Sequence, residues 1–220
     1  MENELKKELR FISEPIKATG NRTIEGYAII FNSLSVDLGG FKEIILPSSI
    51  NQLFVDTQDV ICVFNHNNNL LLARSKKGRG TLKLIVDDKG LYYSFQAPKT
   101  PTGDEILENI RLKNITGSSF GFVVDENGQS WERKNGFVIR TISKIKMLVD
   151  VSPVTTPAYE ASSVSSRSIF ETYKKKENDL RELEIYLKNN KGLTDAELER
   201  YYKPYNEWQI WQKSVDVIIR

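Results

Sequence analysis

GTLKLIVDDKGLYYSFQA, residues 80–97, alternates apolar and polar side chains on both sides of a short polar break. Leu82, Leu84 and Val86 share one parity, Asp87-Asp88-Lys89-Gly90 turns the chain, and Leu91, Tyr93, Phe95 and Ala97 alternate back. Successive side chains of a strand point to opposite faces, so this pattern predicts a β-hairpin with one buried face. Outward from it, strands are expected at 23–31, 42–46, 59–65, 119–125 and 137–150, with Glu126-Asn127-Gly128 and Asn135-Gly136 as turn signals. One helix interrupts them. Thr100 caps it, Pro101 takes the first helical position, and Ile106, Leu107 and Ile110 form its apolar stripe, just before GSSFGF. Short strands with few helices predict a mainly β (α+β) fold, a barrel or a sandwich.

Glycine and proline usage places a boundary, because 12 of the 13 glycines and 6 of the 7 prolines precede residue 165. Residues 1–164 are read as the β domain. Residues 165–220 are read as linker and helical tail. SSVSSRS (162–168) is a small, polar stretch expected to be an exposed linker. Leu180, Leu183 and Leu187 then share a helical face, and Lys174–Lys176 read as a solvated charge run. Thr194 and Glu197 form a capping box with Leu193 and Leu198 at the staple positions, and Pro204 interrupts that helix. Trp208, Trp211, Val215 and Ile218 recur at helical steps in a third amphipathic segment.

Across 220 residues, 31 Lys+Arg stand against 29 Asp+Glu, a near balance that argues against non-specific nucleic-acid binding. No apolar run is long enough to span a membrane, and MENELKKELRF lacks the apolar core of a signal peptide, so a cytoplasmic protein is expected. Cys62 is the sole cysteine and His66 the sole histidine, which excludes an intramolecular disulfide and a zinc site made of Cys and His alone. There is no Walker A motif, no dinucleotide-binding glycine motif and no metal-spaced carboxylate cluster; no cofactor and no metal are expected.

Gly117-Ser118-Ser119-Phe120-Gly121 matches G-x-S-x-G, the nucleophile elbow of α/β-hydrolases. That fold places the motif between a strand and a following helix and has its histidine after the serine. Here a helix precedes, a strand follows, and the only histidine lies upstream, so that fold is excluded. Ser-His-acid chemistry in another chain order stays compatible. His66 ends an apolar strand in NHNNN, either as a surface histidine in a turn or as a side chain presented to substrate. Phe120, Phe122 and Val124 define the core face of their strand; Ser118 shares it, whereas Ser119 lies with Gly121 on the opposite, accessible face. Ser119 is therefore the better nucleophile candidate, against the alternative of two small residues at a tight strand start. Asp150 ends KIKMLVD on the parity of Lys144 and Lys146, either to orient an imidazole or to cap the following turn.

EGYAIIFNSLS (25–35), FKEIILPSSI (41–50), FNHNNNLLLARS (64–75), GTLKL (80–84), GSSFGFVV (117–124), LVDVSPVTTPAY (148–159) and SSVSSRS, taken in this order, resemble the prohead serine proteases of tailed bacteriophages. The resemblance implies an assemblin-like fold shared with herpesvirus maturational proteases: a closed, mostly antiparallel β-barrel with peripheral helices. It implies a serine endopeptidase with His66, Ser119 and Asp150 as its catalytic residues. The herpesvirus relatives use a second histidine as third member, which this chain lacks. Backbone N–H groups near Ser119, Phe120 among them, and Arg140 are the expected oxyanion donors, and Arg74 matches the family pattern. The implied partners are the scaffolding protein and the major capsid protein as substrates, with self-association and self-cleavage, inside the procapsid assembling in the host cytoplasm. A non-catalytic assembly module that binds coat protein through its terminal helices is the alternative, and a hydrolase of small esters a more distant one.

Overall fold

The computed structural model describes residues 7–12, 14–134, 136–155 and 164–189. The chain enters through β1 (Glu8–Ile12), β2 (Lys17–Thr19), β3 (Thr23–Ile30), β4 (Phe41–Ile45) and one helical turn, α1 (Gln52–Val55). It then lays down β5 (Asp59–Phe64), β6 (Asn67–Lys76), β7 (Arg79–Gly80), β8 (Lys83–Val86) and β9 (Gly90–Gln96). Helix α2 (Pro101–Arg111) precedes β10 (Gly117–Val124), β11 (Gln129–Lys134), β12 (Phe137–Ile142) and β13 (Ile145–Val154), and α3 (Val164–Asn189) follows.

The hairpin read from residues 80–97 is β8–β9, with Leu84 opposite Tyr93 and Val86 opposite Leu91. Asp87 Oδ1 accepts the N–H groups of Lys89 and Gly90, both at 2.9 Å, which closes the turn. A side chain at Gly90 would run into the Ile29 carbonyl, so glycine is what lets β3 approach β9. In α2, Thr100 accepts from the Gly103 N–H, and Ile106, Leu107 and Ile110 are buried.

The fold is mainly β with few helices. Its strands form three sheets, ordered β1-β10-β13-β5-β6-β7, β11-β12-β4 and β2-β3-β9-β8. Among the described residues the hydrogen bonds give three separate sheets and no closed barrel, and β4–β12 and β5–β13 pair in parallel. One core joins all three, drawing Phe120, Phe122 and Cys62 from the first, Ile45 and Ile142 from the second, and Ile24, Ile29 and Tyr93 from the third. Burying each large apolar side chain contributes about 1.5–3 kcal/mol, so the sheets stabilise one another.

Residues 137–150, expected as one strand, form two. β12 and β13 belong to different sheets, and the change occurs at Ser143 and Lys144, whose N–H groups both bond to the Gly128 carbonyl. Nothing local marks that break. NNNLLLARSK, which lies outside the strands expected from the sequence, is the strand β6. The chain divides into two units, Met1–Ser166 and Arg167–Arg220. Val164–Ser168, expected as linker, are helical at the start of α3. Serine costs only a few tenths of a kcal/mol in a helix, which the Lys-, Glu- and Leu-rich sequence after it outweighs. The helices expected around Thr194 and Glu197 and around Trp208 and Trp211, and Asn135 of the second turn signal, lie outside the described residues.

A buried ionic cluster ties the first sheet to the second. Arg140 of β12 is fully buried and donates to Glu8 of β1 at 2.6 and 2.9 Å, to Glu43 of β4 at 3.0 Å and to Gln129 at 2.7 Å. Arg10 of β1 completes it with bonds to Glu43, both 2.8 Å, and to Glu8 at 2.6 Å. Burial pushes the Glu8 carboxyl up, but the hydrogen bond and charge of Arg140, then those of Arg10, outweigh it and hold it below its ordinary value. Its contribution to stability is therefore present above the ordinary carboxylate range and lost as pH falls through the lowered value. Arg140→Leu leaves one guanidinium for two buried carboxylates and is expected to cost about 3–5 kcal/mol, lowering the melting temperature by roughly 10 °C near neutral pH. The deficit should shrink in acid, where Glu8, left short of its first partner, takes up a proton; thermal unfolding of both proteins across pH 4–8 checks it, and a pH-independent deficit would mean lost packing alone.

Candidate active site

Three segments converge. The first is the turn between β5 and β6, where Phe64 pairs with Asn67 and only Asn65 and His66 lie between. Both have positive φ, 49° and 56°, which is what a type I′ two-residue hairpin demands. Asparagine tolerates that region; histidine is costlier there, so the surroundings must hold it. They do so through Asn65: its N–H donates to the Pro153 carbonyl at 3.1 Å, its Oδ1 accepts the Thr155 N–H at 3.1 Å, and its Nδ2 donates to Thr155 Oγ1 at 3.3 Å. The hairpin tip is pinned to the end of β13.

The second and third segments are β10 and β13, adjacent and antiparallel, with Ser119 opposite Ser152 and Gly121 opposite Asp150. Ser119 and Asp150 are thus diagonal neighbours on one face. Diagonal residues lie about 7–8 Å apart, a gap that an imidazole ring can bridge. His66 does: Nε2 is 2.6 Å from Ser119 Oγ and Nδ1 is 2.5 Å from Asp150 Oδ1. Ser118 points the other way, its Oγ 2.7 Å from the buried Tyr93 hydroxyl.

Asp150 is not at a strand end. β13 continues to Val154, and register shifts opposite Gly121/Phe122 and Val123/Val124 insert Val149 and Lys146 as extra residues. Burial consequently recurs at Ile145, Leu148 and Val151, and alternation from Lys144 and Lys146 does not run through to Asp150. Nor is Ser119 on an open face. It is 2% exposed, because β10 is flanked by β1 and β13 and covered on both sides.

Asp150 is 1% exposed. Burial pushes its carboxyl up, but the hydrogen bond and charge of His66, then those of Lys7, outweigh it and hold it below the usual value. An ionised carboxylate only accepts, so Nδ1 carries the proton and the Nε2 lone pair faces the Ser119 hydroxyl. Ser152 Oγ donates to Asp150 Oδ1 at 2.9 Å and lies 3.3 Å from His66 Nδ1. Cys62, on the neighbouring β5, is fully buried; burial, with the Asp150 charge added, pushes its thiol well above the ordinary range, so it stays protonated and unreactive.

Arg140 does not join these residues, since its guanidinium is engaged by Glu8, Glu43 and Gln129. The Phe120 backbone pairs with Arg10 on one side and Val151 on the other, which directs its N–H into the sheet plane. Arg74 forks onto Asp59 at 2.7 and 2.6 Å on the hairpin strands. Sequence reasoning missed Ser152, Asn65 and Lys7. The first shares the face of Asp150 two residues on, a signal that alternation could have found. Lys7 has no local signal. Among the described residues no three of His, Cys, Asp and Glu gather as a metal site, and no helix is long and apolar enough to cross a membrane.

A hydroxyl, an imidazole and a buried carboxylate hydrogen-bonded in series on a mainly β scaffold form a serine-hydrolase arrangement. Residues 9–176 match the Caudovirus prohead serine protease family, and the chain belongs to that family. Among solved structures it is similar to the capsid assembly protease gp21 of bacteriophage T4, with 15% identity over 70% of this chain and 100% of that one and a TM-score of 0.47. No curated protein sequence matches it.

Proposed function

We propose that this phage capsid-maturation protease is a Ser-His-Asp endopeptidase that cleaves scaffolding protein, or a scaffold-like segment of the major capsid protein, and itself within the procapsid in the host cytoplasm. The observation that carries the reading is the Ser119–His66–Asp150 chain of hydrogen bonds, 2.6 and 2.5 Å. His66 Nε2 takes the Ser119 proton as Oγ bonds to the scissile carbonyl carbon. The same proton passes to the departing amine as the C–N bond breaks, and water, activated by the same ring, then releases the acyl group. Asp150 holds the ring in the productive tautomer and offsets the charge of the imidazolium. The assemblin-like relationship and the capsid substrates rest on family membership.

A fluorophosphonate probe tests the chemistry, because it phosphonylates only an activated serine. The expected result is one adduct, mapped by mass spectrometry to the peptide holding Ser119 and lost in His66→Ala. An unlabelled, folded protein would favour the non-catalytic coat-binding module instead.

A further inference from the structure

We propose that Lys7, carried to the site by β1, is a positioning residue that holds the second oxygen of Asp150 and sets the charge that His66 faces; this rests on the Ser-His-Asp reading above. Asp150 Oδ1 is occupied by His66 Nδ1 at 2.5 Å and Ser152 Oγ at 2.9 Å. Oδ2 is buried and makes no hydrogen bond of good angle; what faces it is the Lys7 ammonium, 2.5 Å away. A buried carboxylate oxygen left without a partner is costly and free to swing, so the ammonium fixes the carboxylate plane from the side opposite the imidazole.

The approach is built into the backbone. Gly121 pairs with Leu9 of β1 on one side and Asp150 of β13 on the other. A Cβ there would collide with Lys7 Cε and with Asp150 Oδ2. Glycine therefore opens the notch through which a side chain leading into β1 reaches β13. The Lys7 side chain is 37% exposed, so it crosses from solvent to a buried anion.

The groups facing Asp150 are Lys7 from the chain before β1, His66 from the hairpin, the neutral Cys62 thiol from β5, and Ser152 on its own strand, with Ser119 of β10 beyond the imidazole. Asp150 and Lys7 cancel in charge. The imidazole faces a near-neutral pair instead of a bare carboxylate.

His66 is the chain's only histidine, so its imidazole resonances in NMR spectra report it alone, without any need for turnover. In full-length Ser119→Ala protein, adding Lys7→Met or Lys7→Gln is expected to displace the Nδ1–H resonance of the His66–Asp150 hydrogen bond, and Lys7→Arg to leave it in place. With Ser119 intact, the rate of fluorophosphonate labelling should fall in both neutral variants, and Lys7→Arg should restore it. An unmoved resonance in both neutral variants, with the Ser119-intact wild type labelled, overturns the role of Lys7 alone. A folded, Ser119-intact wild type that is not labelled overturns the catalytic reading, and this proposal with it.

Discussion

Ser119→Ala is expected to abolish cleavage of coat or scaffold protein and of the protease itself, whereas Ser118→Ala retains substantial activity. The two serines are neighbours on one strand, and only their direction differs. Ser119 Oγ meets His66 Nε2 at 2.6 Å, while Ser118 Oγ meets the Tyr93 hydroxyl at 2.7 Å inside the core. Removing the first oxygen removes the atom that would bond to the substrate. Removing the second strands a buried phenol, which costs about 1–3 kcal/mol of stability and leaves the site in place. His66→Ala should match Ser119→Ala, since members of one catalytic unit are not additive and the chain holds no second histidine. Intact-mass spectra after coexpression with coat and scaffold proteins read both activities together. Wild type should lose part or all of the region after about residue 162, and Ser119→Ala should stay full length. Full processing by Ser119→Ala would end the proposed mechanism, and equal trimming of both proteins would assign the tail cut to a host protease.

Asp150→Asn is expected to slow turnover by about 10⁴-fold, as for a triad aspartate made neutral elsewhere, equivalent to about 5 kcal/mol. Size is conserved, so the fold should survive. An amide that turns its NH₂ toward Nδ1 forces the proton to Nε2, where the lone pair is needed, and in either orientation it supplies no charge to offset the imidazolium. The Lys7 ammonium would lose its counter-ion as well, although its partial exposure lets water take that place. Single-turnover cleavage compared with wild type, at equal melting temperature, measures the effect. A loss below about tenfold, worth under about 1.4 kcal/mol, would reduce Asp150 to a structural carboxylate.

The sheets were legible wherever the pattern was local. Leu84, Leu91, Tyr93 and Phe95 alternate because a hairpin buries one face, and its pairing is complete within eighteen residues. Thr100 and Pro101 mark α2 because a cap and a fixed φ act within one turn. The parity of Ser118 and Ser119 reads correctly for the same reason: β10 itself is regular there. Parity misled along 144–150, where two extra residues in β13 interrupt the alternation; a bulge is defined by the partner strand, which the local sequence does not contain.

By itself, the sequence determined a mainly β chain, the position of its helix before the serine strand, the family pattern, and the short set of His66, Ser119 and Asp150 as chemistry-bearing candidates. The chain class, the helix and the candidates follow from side-chain periodicity, capping and elimination, each acting over a few residues or on composition alone, and the family pattern rests on the resemblance of the ordered strings. Tertiary structure alone decided what surrounds them. It turned Asn65 and His66 into a pinned hairpin tip, brought His66 to partners 53 and 84 residues away, threaded Lys7 past Gly121, and committed Arg140 to Glu8 across 132 residues. Such pairings form only when the three sheets close on one core. Burial then turns an unpaired charge from a cheap surface feature into a costly one, and so selects the partner.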